Sequence, residues 1–284
     1  MRYLNDEEVD ILIEGIKEKT RQIVYSLEID KEKTPDIFDS KFGGVPYWVL
    51  NKEYPTDNEG NKLIFLAQLN FDKVDVPEPL PQKGILQFFT GVDDVFGLDF
   101  DNPTSQNTFR VIYHESVDYN VTTEQIRSLN IPVSTDEDME YYTPVFKEVA
   151  VTMQESENFL AMCDYRIEEV AGEVTKEKFG FDYHDEYDSL YDYLSDDDLE
   201  KLNDTIDPLG CRLLGYPFFT QNDPREYNED LRKYDTLLFQ MDTVTDDSED
   251  YVMWGDSGVG NFFIKKEDLK NLNFSDVLYN WDCF

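Results

Sequence analysis

Four side-chain amides lie in matching places inside apolar runs of the sequence: Gln68, Gln87, Gln240 and Asn261. A buried amide has to be hydrogen-bonded, because the loss of its partner costs about 1–3 kcal/mol. One interpretation is structural, with the amides tying irregular backbone or two parts of the fold together. The other is functional, with the amides lining a ligand-binding cleft.

The functional interpretation adds two tryptophans and one acid to the amides, namely Trp48, Trp254 and Asp256. Aromatic walls with a few amides suit a neutral ligand or a peptide segment. In a hydrolytic form of this hypothesis, Asp256 is the general acid or base and the amides orient the substrate. No complete catalytic set accompanies these residues, so no catalytic residue is assigned and the sequence favours binding over catalysis.

The tetrapeptide GDSG at residues 255–258 is the sequence found around the nucleophile of chymotrypsin-like serine proteases. That chemistry also requires a histidine to take the serine proton and a buried acid to orient the histidine. The chain contains only His114 and His184, and neither has the sequence context of that family. We therefore expect this glycine-rich stretch to form a tight turn between two strands.

Metal and cofactor signatures are also missing from the sequence. The three cysteines, at positions 163, 211 and 283, lie far apart, and the two histidines are remote from each other. This pattern predicts neither a disulfide framework nor a transition-metal site. No glycine-rich phosphate loop precedes a helix, so we expect no cofactor and no metal centre. Surface carboxylates could still bind calcium, and the sequence leaves this open.

The polar residues above belong to a sequence that repeats itself. Residues 258–274 align without a gap on residues 84–100, with six identities in 17 positions. Upstream, GGVPYW at 43–48 corresponds to LGYPFF at 214–219, and the apolar run at 63–71 corresponds to that at 237–243. The order and spacing indicate an internal duplication, with units at about 43–100 and 214–274. The hypothetical cleft would lie between these units.

The periodicity of the remaining segments predicts a single α+β domain over residues 1–284, mainly of antiparallel β structure. Residues 6–27 have apolar side chains at helical spacing and predict an N-terminal helix. From Thr34 onward, aromatic runs separated by Gly, Pro, Asn and Asp predict strands and turns. Residues 182–207 are the most acidic stretch, and their apolar residues share a helical face, which predicts an acidic, amphipathic helical insertion.

The net charge is the extreme feature of the composition, with 62 acidic and 25 basic residues giving −37. Such a surface repels the phosphates of nucleic acids and of anionic membranes, so neither is an expected partner. A basic protein or peptide is the partner that this charge would attract. The alternative is an acidic surface that only aids solubility. With no signal peptide and no apolar run of membrane-spanning length, we expect a cytoplasmic protein. The oligomeric state is not indicated.

Several blocks, among them KFGGVPYW, IFLAQLNF, LLGYPFFTQNDPR, MWGDSGVGNFFI and FSDVLYNWDCF, resemble those of the YwqG-like family, a bacterial domain-of-unknown-function family. The resemblance extends over residues 1–284 and implies a largely β fold with flanking helices and a repeated core. The family has no established reaction, so the resemblance assigns no catalytic residue. Its members occur near toxin and immunity genes. We therefore expect a non-catalytic binding protein of an immunity-type or stress-related kind, with a ligand-binding or hydrolytic domain as the alternative.

Overall fold

The computed structural model describes residues 3–134, 143–206 and 208–284. Its α-helices are α1 (Asp6–Thr20), α2 (Thr123–Arg127), α3 (Ile167–Phe179), α4 (Leu190–Tyr193), α5 (Asp196–Thr205), α6 (Pro224–Tyr227) and α7 (Lys266–Lys270). Its strands are β1 (Gln22–Asp30), β2 (Lys41–Phe42), β3 (Ile64–Asn70), β4 (Ile85–Thr90), β5 (Phe109–His114), β6 (Val149–Asn158), β7 (Arg212–Leu213), β8 (Thr236–Asp242), β9 (Val244–Thr245), β10 (Asp250–Val252), β11 (Val259–Ile264) and β12 (Val277–Asp282). The predicted α+β class with mainly antiparallel β structure is confirmed.

The N-terminal helix begins at a capping box and is shorter than predicted. The Asn5 side chain accepts hydrogen bonds from the first turn, and the Glu8 side chain returns a bond to the Asn5 backbone. The helix ends at Thr20, and β1 begins at Gln22, so the prediction of a helix over 6–27 is wrong for its last residues. Those residues include Val24, which is β-branched and pairs with β6, an arrangement that favours a strand over a helix.

Ten of the strands form one antiparallel sheet, in the order β12-β11-β8-β7-β1-β6-β2-β3-β4-β5. The strands β1 and β6 pair at its centre. On one side of this pair lie β2, β3, β4 and β5, and on the other lie β7, β8, β11 and β12. The two sets have the same strand lengths in the same order. We call the set from β2 to β5 the first half and the set from β7 to β12 the second half.

The two halves contain a β-bulge at the same position. The pairing of β3 with β4 shifts between Phe65 and Ala67, which leaves Leu66 as the extra residue. The pairing of β8 with β11 shifts in the same way and leaves Leu238 as the extra residue. A bulge bends and twists its strand, so the two halves curve alike. A duplicated β template would produce the same strand order, the same strand lengths and a bulge at the same position in both halves.

The aligned segments diverge after the strands, and the halves extend beyond the predicted units. The strands β4 and β11 correspond residue for residue in the gapless alignment, but α7 follows β11 whereas turns follow β4. The strands β5 and β12 complete the two halves and lie outside the units at 43–100 and 214–274. Their sequences, FRVIYH and VLYNWD, share too little for an alignment to pair them.

The sheet curves into a nearly closed barrel with an aromatic interior. Five strands lie between β4 and β8 in the sheet order, yet the Phe88 ring is 4.5 Å from the Phe239 ring, centroid to centroid. At the two sheet edges, the Phe109 and Tyr279 rings are 5.1 Å apart. The main core is therefore the space enclosed by the two halves, and it contains side chains from both.

A helical layer packs beside this barrel. It consists of α1 together with residues 167–206, which contain α3, α4 and α5, and it has its own apolar cluster. The acidic insertion predicted at 182–207 belongs to this layer, where Leu190 and Leu202 are buried; Asp207 lies outside the described residues. Across the described chain, every helix is too short or too polar to span a membrane.

Candidate functional site

The two amides of the first half face each other on β3 and β4 and bond mainly to the main chain. The Oε1 atom of Gln68 accepts hydrogen bonds from the Tyr47 N–H (3.0 Å) and from the Gln87 amide (3.1 Å). Its Nε2 atom donates to the carbonyls of Ile37 (2.9 Å) and Asp39 (2.7 Å). The Gln87 amide also donates to the Tyr47 carbonyl at 2.7 Å. This pair fixes the two loops that flank β2 against the outer face of the sheet.

The second half repeats this arrangement with Gln240 and Asn261, which pair across β8 and β11. The Oε1 atom of Gln240 accepts from the Phe218 N–H at 2.7 Å, and its Nε2 atom donates to the carbonyls of Pro208 (3.1 Å) and Gly210 (2.8 Å). The Asn261 amide donates to the Phe218 carbonyl at 2.7 Å. The four amide side chains are fully buried. Their bonds support the structural interpretation of these residues.

A buried cation beside each amide pair completes the repeated arrangement. Lys41 lies opposite Gln68 on β2, and Arg212 lies opposite Gln240 on β7. The Lys41 ammonium donates to the Val45 carbonyl at 2.6 Å, and the Arg212 guanidinium donates to the carbonyl of Tyr216 at 3.4 Å. Burial lowers the pKa of Lys41 from its ordinary value, although the nearby Glu148 carboxylate opposes this shift. The sequence analysis missed both cations.

Trp48 packs on the outer face of the first half. Its ring lies 5.0 Å from the Tyr54 ring and 5.3 Å from the His114 ring, and its indole N–H donates to the Lys52 carbonyl at 3.1 Å. Only 2% of the Trp48 surface is exposed. It is therefore a packing residue of that face and not part of an open aromatic wall.

Trp254 and Asp256 lie elsewhere. Trp254 is fully buried in the barrel core, where its ring contacts Phe96 at 5.7 Å. Asp256 lies in the exposed turn before β11, and its backbone carbonyl accepts a hydrogen bond from the Phe284 N–H at 3.2 Å. The cleft hypothesis placed all seven residues on one surface, and the structure does not bring them together there. Six of them are buried, as one amide pair in each half and a tryptophan apart from each pair, and the amides bond mainly to nearby backbone.

His114 lies in β5 under the loop that carries Tyr47 and Trp48. Its Nε2 atom is 2.8 Å from the Gln87 Oε1 atom, and its Nδ1 atom is buried and has no hydrogen-bond partner among the described residues. Burial lowers its pKa to about 4, and the positive charge of Lys52 adds to the shift. The imidazole is therefore neutral at neutral pH. Because its partner is an amide in the first half, it does not form a dyad with the serine of the GDSG turn in the second half.

Within the described ranges, no group of three His, Cys, Asp or Glu side chains is arranged to hold a metal ion. Two cavities lined by described residues lie on the outer surface of the fold. One, of about 690 Å³, lies where the helical layer meets the second half, and its walls include Tyr191, Asn203 and Phe218. Another, of about 580 Å³, lies between the two halves and is lined partly by lysines. Neither is lined by any of the seven residues predicted from the sequence.

A comparison with protein families matches residues 40–283 to a domain of unknown function, DUF1963. The chain belongs to the DUF1963 family. A search of curated proteins finds no match. The DUF1963 match begins after α1 and β1, yet β1 lies at the centre of the sheet, paired with β6 and β7. The N-terminal residues of this DUF1963 protein therefore complete the barrel that the matched segment forms.

The sequence analysis expected a cleft between the two units, and a cavity does lie between the two halves of the DUF1963 domain, but none of its lining residues was predicted. Its lysines are Lys83, from the loop before β4, and Lys266 and Lys270, from α7. Lys83 is remote in the chain from the other two. The three come together because the sheet curves, and no motif or spacing in the sequence signals this.

Proposed function

We propose that this protein is a non-catalytic binding protein whose helical layer recognises a basic protein or peptide. The observation that carries the proposal is the distribution of charge. The helical layer, residues 6–20 and 167–206, contains 20 acidic and five basic residues, so its net charge is −15 in about a fifth of the chain. The other four-fifths of the chain carry the remaining −22. The charge per residue of the layer is thus nearly three times that of the rest.

The basic residues of the layer are largely occupied within it. Lys19 bridges Glu173 (3.2 Å) and Glu177 (2.8 Å), which joins α1 to α3. Lys201 pairs with Asp10 at 2.6 Å and joins α5 to α1. These pairs hold the helices together but leave a large excess of carboxylates facing water. A basic partner would relieve the mutual repulsion of these carboxylates, and long-range attraction would speed its encounter.

One helical face of α5 presents this excess to solvent. Asp197, Glu200 and Asp204 are exposed at helical spacing and form no ion pair with a described residue. Asp204 also lines the 690 Å³ cavity beside the layer, as do Tyr191 and Leu209. The exposed fractions of Tyr191 and Leu209 are 62% and 56%. An exposed tyrosine beside an apolar depression is typical of a protein-binding anchor. The surface therefore suits a basic segment that also carries an apolar side chain.

The proposal includes a cytoplasmic location and membership of the bacterial YwqG-like group, with an immunity-type or stress-related role. The block resemblance and the genomic association described above support these points. The acidic surface supports the choice of a basic partner over nucleic acid or membrane.

The experiment compares two variants of equal net charge. In the layer variant, Asp197→Asn, Glu200→Gln and Asp204→Asn remove three charges from one face of α5. In the control variant, Glu53→Gln, Glu59→Gln and Glu124→Gln remove three exposed charges from a loop of the first half and from α2. Affinity capture from a bacterial lysate at low ionic strength, with an oligolysine peptide as a defined probe, measures binding. Each of the three carboxylates could form one exposed ion pair with the partner, worth about 0.2–1 kcal/mol. We therefore expect the layer variant to bind about tenfold more weakly than the wild type.

The control variant is expected to retain binding within about twofold, and added salt is expected to weaken the wild type and the control alike. Equal losses in both variants would mean that net charge alone is recognised. Failure of the wild-type protein to enrich any basic protein at low ionic strength would count decisively against the proposal. Circular dichroism of both variants separates lost binding from lost folding.

A further inference from the structure

The seam between the two halves holds a cavity of about 580 Å³ with walls from both repeats. The first half contributes the proline-rich loop before β4, including Pro79 and Leu80, together with Tyr113 of β5. The second half contributes α7 and Leu272. An adjoining cavity of about 590 Å³ shares Tyr113 and Leu272 with it and follows the β5 edge. The volume is within the range of about 300–1,000 Å³ that small-molecule sites occupy.

The charge of this cavity is opposite to that of the protein. Its lining contains the three lysines Lys83, Lys266 and Lys270 and only one acidic residue, Glu78. In a chain with 62 acidic and 25 basic residues, most lysine ammonium groups are expected to lie close to a carboxylate. The seam is therefore a local positive site in a negative surface, where a bound anion is attracted at short range.

The ammonium groups of these lysines are only partly neutralised. Lys83 forms an ion pair with Glu115 at 3.0 Å, and both side chains are more than half exposed. The Lys270 ammonium is 3.7 Å from a Glu267 oxygen, a long contact between exposed groups. Lys266 forms no ion pair with any residue in the part of the chain that the structure describes. Exposed pairs of this kind are weak and can exchange their carboxylate for a ligand.

The rest of the cavity is apolar and held in place. Leu80 is buried, and the prolines of the loop at 77–81 restrict its backbone. The Tyr113 hydroxyl donates to the Lys83 carbonyl at 2.8 Å, and the Tyr113 ring packs 5.6 Å from the Phe274 ring. The contact between the Tyr113 and Phe274 rings joins the two repeats at the cavity. A formed apolar wall next to cationic groups suits a ligand with an apolar body and an anionic group.

We propose that the seam cavity binds a small organic anion. Lys83, Lys266 and Lys270 contact its carboxylate or phosphate, and its apolar body packs on Pro79 and Leu272. This site is separate from the acidic helical layer in both position and charge. It does not depend on the function proposed above.

The test uses three naphthalene probes of similar size: naphthoate, naphthyl phosphate and the neutral naphthalenemethanol. Binding to the full-length protein is measured by calorimetry and by chemical-shift changes in two-dimensional NMR spectra. We expect both anions to bind more tightly than the neutral probe and to shift resonances of α7 and of the loop before β4. The ratio of the two anions' affinities distinguishes a carboxylate site from a phosphate site.

Lys266→Gln is the informative variant, because it removes a cation without breaking an ion pair. Lys176→Gln is its matched control, since Lys176 is exposed on α3 and likewise forms no ion pair with a described residue. We expect Lys266→Gln to weaken anion binding about tenfold, as for the loss of one charged hydrogen bond, and Lys176→Gln to change it less than twofold. The proposal is overturned if the wild type binds neither anion, if the neutral probe binds as well, or if the two variants lose affinity equally.

Discussion

Replacement of Gln68 by leucine tests whether the buried amides hold the fold rather than a ligand. Leucine is similar in size to glutamine, so the change removes the hydrogen bonds without opening a large cavity. It leaves three backbone groups without partners: the Tyr47 N–H and the carbonyls of Ile37 and Asp39. Each of these residues is at most 5% exposed, so water does not replace the lost bonds. The change should therefore be strongly destabilising.

The magnitude follows from these three groups. A buried group that loses its partner costs about 1–3 kcal/mol, and the leucine side chain returns about 1–2 kcal/mol by its transfer from water. At about 1.5–2 kcal/mol for each of the three groups, the net loss of unfolding free energy is about 3–5 kcal/mol. The unfolding entropy of a chain of 284 residues is about 0.6 kcal/mol per kelvin, so the melting temperature should fall by about 5–8 °C. Gln240→Leu should cost less, about 2–3 kcal/mol, because Pro208 and Gly210 are more accessible to water.

Thermal unfolding followed by circular dichroism measures these differences. The control is Gln154→Leu, since Gln154 is an exposed amide of β6 whose bond to Glu28 is 3.3 Å long. Its melting temperature should stay within about 1 °C of the wild type, as for most surface substitutions. A Gln68→Leu protein that melts as the wild type does would refute the structural account of the amides. A loss as large in the Gln154 variant would refute it too.

Two further predictions concern buried ionisable groups. Burial and the charge of Lys52 lower the pKa of His114 to about 4 in the folded protein, whereas its pKa in the unfolded chain is about 6.5. Between about pH 4 and 6.5 the unfolded state therefore binds more protons than the folded state. The contribution of His114 to stability is therefore full above about pH 6.5 and falls as the pH is lowered. Between about pH 7.5 and 5, the wild type should lose about 2 kcal/mol more of its unfolding free energy than His114→Gln does, as measured by urea titration. Equal losses in the two proteins would contradict this prediction. Arg225→Met leaves the buried Asp223 carboxylate without its cation, whereas Asp164 keeps Arg166, and the change should cost about 3–5 kcal/mol, a loss that Asp223→Asn in the same chain should partly restore. A urea midpoint close to that of the wild type would show that the pair contributes little.

Much of the fold could be predicted because its signals are local. The capping box of Thr122 and Gln125 starts α2, and that of Ser195 and Asp198 starts α5. The end of α1 could not be predicted in this way. The residues after Thr20 fit both a helical period, through Ile23, Val24 and Leu27, and a strand period, through Ile23, Tyr25, Leu27 and Ile29. Their pairing with β6, which is remote in sequence, decides between the two periods.

The candidate site was harder to predict than the fold. Residue types identified the four amides as unusual, but most of their partners are main-chain atoms, which a sequence does not distinguish. The same limit applies to Lys41, whose burial depends on the Val45 carbonyl. The seam lysines depend on long-range geometry, because Lys83 and Lys266 meet only after the sheet has curved.

The duplication itself separates folding residues from candidate binding residues. Gln68 and Gln240 make equivalent bonds in the two halves, so folding accounts for them without any ligand. The lysines of α7 have no such equivalents: in the gapless alignment of the two units, Lys266 aligns with Val92 and Lys270 with Phe96. Because the first half folds without a cation at these positions, the second half does not need one there for folding. The asymmetry between the halves is therefore where the function of this duplicated fold should be sought.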